Sequence, residues 1–138
     1  MKTDHRITEL RKLLDESNID VLIITNLLNI RYLTGFTGSA ATLLIGSPSF
    51  SKNDYGLLCT DSRYSEQSHV QIAESNAQIE ISIGNLATQL DKSKLFAKGA
   101  LEIGIEADST TIASFNAWTQ AMERTIAPSK EIQHNGSA

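Results

Sequence analysis

With one cysteine, Cys59, the chain has nothing to pair for an internal disulfide. Cys59 lies in the apolar run Tyr55 to Thr60 and reads as a small buried hydrophobe. No apolar run approaches the roughly 20 residues of a membrane span. The N-terminus, Met1-Lys2-Thr3-Asp4-His5-Arg6, leads into a charged helix and lacks the apolar core of a secretion signal. Asn135-Gly136-Ser137 fits a glycosylation sequon, but without a signal it reads as chance. A cytoplasmic setting fits best. Basic excess is missing too: 12 Lys and Arg against 16 Asp and Glu give a net charge of −4, which argues against a nucleic-acid footprint. His5, His69 and His134 stand far apart, outside any metal-ligand spacing such as H-E-x-x-H, so each reads as a surface histidine. Cys59 has no histidine phrase near it, which disfavours a thiol nucleophile.

The 138 residues suffice for one ordinary domain, without room for a second good core. Ile7, Leu10, Leu13 and Leu14 recur at helical spacing, which predicts an amphipathic helix over Asp4 to Ser17 with Asn18 as a left-handed cap. Ile19 to Ile24 is apolar, β-branched and too short for a helix, so it predicts a strand covered on both faces. Thr25 or Asn26 can cap the short helix that follows. Ala40 to Ile45 and Tyr55 to Thr60 predict two further strands, joined by the turn-rich stretch Gly46 to Asp54. Ser62 to Ser75 reads as a helix with Tyr64, Val70 and Ala73 as candidate inward residues. Ile79, Ile81 and Ile83 alternate with polar residues, the period of a half-covered strand. A helix over Asn85 to Lys98 ends at Gly99, and Leu101, Ile103 and Ile105 predict another strand. Asp108 or Ser109 then caps a helix with Ile112, Phe115, Trp118 and Met122 on one stripe, which Pro128 stops. Alternating strands and helices predict an α/β layered domain, and the antiparallel pair makes its sheet mixed.

Chemistry-bearing sets are few. Gly35-Phe36-Thr37-Gly38-Ser39 resembles a phosphate loop only superficially. It lacks the Lys-Ser/Thr of a Walker loop, and a strand follows it where a helix N-terminus would be needed. Its glycines permit backbone angles that other residues avoid. Phe36 either plugs the core or presents an aromatic to something outside, and both readings stand. If it serves a partner, Phe36→Ala should cost the domain much less than Trp118→Ala. Asp61 can cap the helix that begins at Ser62. Arg63 sits in the first turn, where the helix dipole disfavours a cation, which implies a partner. Asp20, Asp61, Glu102, Glu106 and Asp108 lie near strand ends. They could bind two metals for nuclease work, or serve as solvated caps.

Two long phrases carry a family resemblance. They are Asp20-Val-Leu-Ile-Ile-Thr-Asn-Leu-Leu-Asn-Ile-Arg-Tyr-Leu-Thr-Gly-Phe-Thr-Gly-Ser39 and Thr60-Asp-Ser-Arg-Tyr-Ser-Glu-Gln67. Leu101-Glu-Ile-Gly-Ile-Glu106, before the Trp118 helix, looks like a third landmark. With these the chain resembles the N-terminal domain of the creatinase, prolidase and aminopeptidase P family of Xaa-Pro peptidases. The resemblance implies a mixed five- to six-stranded sheet flanked by helices, ribonuclease-H-like in shape, over residues 1–128. Residues 129–138 would be an edge strand or a tail leading to a C-terminal catalytic domain outside these residues. That domain would hold two divalent metal ions, manganese or similar, and hydrolyse the bond before proline. The N-terminal domain would hold no cofactor and do no bond-breaking. It would help form a homodimer and cap the partner's active site over a proline-containing peptide. The capping residues would be Phe36, Thr37, Gly38 and Ser39, with Arg63 facing the substrate side. No nucleic-acid or membrane partner is implied. Two other readings remain: a free-standing module for a small anion or peptide end, and a ribonuclease-H-like nuclease using Asp61, Glu102 and Asp108.

Overall fold

The computed structural model describes residues 2–50, 56–88 and 102–125, with side chains as far as Ala121 in the last of these. In chain order the elements are α1 (Asp4–Glu16), β1 (Val21–Ile24), α2 (Leu27–Thr34), β2 (Ala41–Gly46) and β3 (Gly56–Thr60). A 3-10 turn (Ser62–Tyr64) then leads into α3 (Ser65–Ser75), followed by β4 (Glu80–Ile83), β5 (Ile103–Ile105) and α4 (Ile112–Thr125). The strands form one mixed sheet in the order β4-β3-β2-β1-β5. β2 is antiparallel to both neighbours, while β1 with β5 and β3 with β4 are parallel. Consequently the C-terminal ends of β1, β3, β4 and β5 share one end of the sheet, where the loop into β2 also arrives. The predicted α/β class and mixed sheet are both present.

Alternation along the strands sorts the core into two layers. Val21, Ile23, Leu44, Leu57, Cys59, Ile103 and Ile105 meet Phe50, Leu86, Trp118 and Ala121 on one face. Ile24, Leu43, Ile45 and Leu58 meet Ile7, Leu14, Ile30, Leu33, Phe36 and Ile72 on the other. Helices α1, α2 and α3 therefore cover one face and α4 the opposite one.

Several sequence expectations need correction. On α1 the buried row is Ile7, Arg11 and Leu14, and Leu13 is 55% exposed. Arg11 is buried because its guanidinium donates to the carbonyls of Gly46 and Ser47 at 2.9 and 3.4 Å, pinning the end of β2. On α3 the inward residues are Ser68, Ile72 and Ser75, while Val70 and Ala73 face out. Ser68 and Ser75 can face in because each hydroxyl donates to a carbonyl of its own helix. Ile112 lies on the outer side of the first turn of α4, 80% exposed. The α4 cap is Thr111, whose hydroxyl accepts from the Ser114 N–H at 3.0 Å; Asp108 and Ser109 lie in the preceding turn. All of β5 is buried, although it stands at the edge of the sheet beside β1. The expected helix over Asn85 to Lys98 lies largely outside the described residues, as do Pro128, His134 and the segment 129–138.

Burial pushes the Cys59 thiol from its ordinary 9.0 up to about 12. Its folded value exceeds its unfolded one, so its contribution to stability is full below pH 9.0 and is lost as pH rises toward 12. The urea midpoint is expected to fall above pH 9.0, and to fall less in Cys59→Ala. An identical fall in the variant would show that the thiol is accessible to water.

Candidate functional site

The first long phrase folds as a capped helix and a tethered loop. Asn26 caps α2, accepting from the Leu28 and Asn29 N–H groups at 2.9 and 3.1 Å. Gly35 closes α2 at φ +80°, a left-handed angle that favours glycine, and its N–H reaches the Arg31 carbonyl at 2.8 Å. The Thr34 hydroxyl donates to the Ile30 carbonyl at 2.7 Å and accepts the Phe36 N–H at 3.1 Å. These bonds turn the chain inward at Phe36. Its ring is 1% exposed and meets Tyr64 edge to face, centroids 5.6 Å apart.

Phe36 therefore plugs the core. It anchors the loop and is not the group the loop presents, which corrects the reading of an outward aromatic. Gly38 crosses the edge of that ring so closely that a Cβ there would lie 2.3 Å from Phe36 Cζ. Thr37 and Ser39, between and beyond these two, are exposed.

Helix α3 and its leading turn support the tip from below. The Thr37 N–H donates to Gln71 Oε1 at 3.0 Å. The Thr37 hydroxyl accepts from Gln67 Nε2 and Gln71 Nε2 at 3.1 and 2.9 Å. Ser39 and Tyr64 share a hydrogen bond between their hydroxyls at 2.6 Å. Gln67 and Gln71 were missed in the sequence, although their i, i+4 spacing places both amides on one face of a helix. Tyr64 titrates below its ordinary value, chiefly through the Ser39 hydrogen bond.

The second phrase supplies the neighbouring charge. Asp61 accepts the Arg63 N–H at 3.0 Å, Arg63 Nε at 3.2 Å and Nη2 at 2.8 Å. Asp61 is thus both the expected cap and the partner that Arg63 required. The pairing lowers the Asp61 pKa and raises that of Arg63. The guanidinium stands 5.2 Å from the Tyr64 ring centre. Ser39 and Arg63, both exposed, therefore meet at Tyr64, with exposed Thr37 held alongside by Gln67 and Gln71 and with Gly38 and Phe36 buried beneath.

Glu106, at the end of β5, fixes the start of α2. Its carboxylate accepts from the Thr25 and Asn26 N–H groups at 2.8 and 2.9 Å and from Asn29 Nδ2 at 2.6 Å. The Thr25 hydroxyl adds contacts to the hydroxyls of Ser109 and Thr110. Glu106 is thereby a staple between two strand ends.

The nuclease reading fails on topology. Glu102 precedes β5 and Asp108 follows it, at opposite ends of the strand. Asp61 follows β3, three strand spacings or about 14 Å from the β5 position. Among the described residues no three His, Cys, Asp or Glu side chains gather to hold a metal ion. The residues present do not fit a metal pair.

A family model described as the Creatinase/Prolidase N-terminal domain matches residues 6–134. The chain belongs to this family. It is 32% identical over 114 residues to the uncharacterized peptidase YqhT of Bacillus subtilis, covering 83% of this chain and 30% of that protein. It is 27% identical over 133 residues to a probable Xaa-Pro aminopeptidase P of Pyrenophora tritici-repentis, covering 96% of this chain and 20% of that one. The fold matches the crystal structure of the N-terminal domain of cytoplasmic peptidase PepQ from Mycobacterium tuberculosis, with a TM-score of 0.76 at 24% identity over 97% and 95% of the two chains. The creatinase/prolidase chain thus spans less than a third of the curated relatives it matches. No helix among the described residues is long and apolar enough to cross a membrane.

Proposed function

We propose that this domain is the non-catalytic, substrate-limiting part of a cytoplasmic, metal-dependent Xaa-Pro peptidase, either a dipeptidase or an aminopeptidase P. Residues 1–128 form the domain, and 129–138 lead to the catalytic unit. The divalent metal ions implied by the family's chemistry are assigned to that unit. In a homodimer the tip Thr37–Ser39 lies over the partner's active-site mouth and narrows it. A proline-containing peptide is the substrate held there, and the domain contributes exclusion and positioning.

One observation carries the capping role. The tip presents the exposed residues Thr37 and Ser39 yet is tied down by a buried ring and by hydrogen bonds from α3. A loop ordered before it meets a partner loses little freedom on docking. The length of the relatives supports assigning the bond-breaking residues to a further unit. The purified 138-residue chain, supplied with manganese, is expected to leave an Xaa-Pro dipeptide intact. Turnover by that chain would overturn the assignment of catalysis to another unit. A free-standing module for a small anion or peptide end is the second reading, favoured by the exposed guanidinium of Arg63.

A further inference from the structure

We infer that the outer edge of β4 pairs with the β4 of a second copy of this chain. Among the described residues β4 ends one side of the sheet, with β3 as its only neighbour. The Gly84 N–H reaches the Thr60 carbonyl at 2.8 Å, just beyond the Thr60–Ile83 register pair. In a parallel ladder alternate residues turn both backbone groups to the neighbouring strand, so Glu80 and Ser82 face β3 as Gly84 does. Ile81 and Ile83 turn theirs outward, and no described residue receives them. The two sides of the sheet differ in this respect: β5 is wholly buried, whereas every residue of β4 is half-buried or exposed.

An unpaired edge is ordinarily guarded by a lysine, a proline or a bulge. The sequence of β4, Glu80-Ile-Ser-Ile83, holds neither residue, and its register with β3 runs without a bulge. Ile83 at its end is 41% exposed. Helix α3 extends this apolar strip. Gln67 and Gln71 reach across to Thr37, so that flank of α3 faces α2 and the tip. At 3.6 residues per turn Ala73 falls on the opposite flank and Val70 on the outer crest. Both are exposed, Val70 by 51%. α3 rests on β4, so the Ala73 flank looks over the free edge.

That the occupant is a second copy follows from the register. A twofold axis at Ser82 sets the two strands antiparallel and places Ile81 opposite Ile83 of the second copy. Each such pair then exchanges both N–H···O bonds, so every outward donor meets an outward acceptor. Glu80 falls opposite Gly84, so the one charge on the edge never faces itself. Ile81 packs on the α3 face of the sheet, and alternation puts Ile83 there too. The isoleucines of the two copies become cross-strand neighbours, and the Ala73 flanks meet above them. This contact goes beyond the capping role and does not draw on it, because the tip stays uncovered on the other flank of α3.

One short strand and one helix flank fall at the small end of specific interfaces, about 1,200 Å² in total, so the dimer is expected to be weak. Sedimentation equilibrium of the 138-residue chain from about 5 μM to about 1 mM brackets it. The average mass is expected to climb from 15.1 kDa toward twice that value. Hydrogen exchange at the Ile81 and Ile83 amides should slow as concentration rises, while Ser82, bonded to β3, is protected throughout. Ile83→Pro removes an outward donor and no bond to β3, and is expected to weaken the dimer at least about tenfold. Val70→Lys should weaken it as well, whereas Ile112→Lys, on exposed α4 surface, should not. Urea unfolding checks that each variant stays folded. A mass of 15.1 kDa at every concentration, or a dimer that survives both Ile83→Pro and Val70→Lys, would overturn the proposal. Protection of Ile81 and Ile83 at every concentration would show the edge covered within one chain, and would overturn it too. If the chain stays monomeric and an added alternating Thr-Val hexapeptide protects those amides, the occupant is a foreign strand and the second copy is ruled out.

Discussion

Phe36→Ala is expected to destabilise the domain by about 3–5 kcal/mol, measured by urea unfolding of the isolated chain. The ring is 1% exposed, packed against Tyr64 and crossed by Gly38. Truncation removes the surface that ring buries and leaves a cavity under a loop that cannot collapse freely. The loop should loosen as well, because the Gly38 crossing and the Tyr64 contact both depend on the ring. Increased hydrogen exchange at the Thr37 amide, which now donates to Gln71, would report that loosening. A loss below about 1 kcal/mol would show that the ring is not part of the core in solution.

Trp118→Ala is expected to cost a similar amount, about 3–5 kcal/mol, from the opposite face of the sheet. The indole is 5% exposed and packs in the cluster of Val21, Ile23, Leu44 and Ile105. On α4 the contrast with Ile112 is the internal control. At 80% exposure Ile112→Ala should stay within about 0.5 kcal/mol of the parent. Phe36 and Trp118 lie in separate layers, so the double variant should lose close to the sum of the two. A strongly sub-additive result would mean that the layers do not unfold as the independent halves of one core. The near-equality of the two single losses matters most. It distinguishes a buried anchor at Phe36 from an aromatic held in reserve for a partner.

Where a periodic pattern and a capping residue agreed, the sequence was legible. β1 was marked by its β-branched run, α2 by Asn26 and Gly35, and the mixed sheet by the short connection between β2 and β3. Contacts between segments distant in the chain were not. Arg11 reads as a surface charge on α1 until Gly46 and Ser47 are placed 35 and 36 positions away to receive it. Gln67 and Gln71 look like ordinary helix formers, since nothing local announces the Thr37 backbone above them. Ile112 fits the apolar stripe of α4 by spacing, but in the first turn of the helix it is 80% exposed, which spacing alone does not reveal. The candidate residues themselves were found by the two phrases. Their division into a buried anchor and an exposed tip needed the fold, because a glycine-flanked aromatic has the same local sequence in either case.

The tip as a limit on substrate length is the claim on which the functional account depends. Ser39→Trp enlarges an exposed tip position whose side chain has Tyr64 as its hydrogen-bond partner. In the protein that carries this domain ahead of its catalytic unit, kcat/KM is measured for an Xaa-Pro dipeptide and for a longer peptide with the same first two residues. The account predicts that the ratio of long to short falls by about tenfold or more in Ser39→Trp, because the added indole obstructs only the extended chain. An unchanged ratio, with the domain still folded, would contradict it.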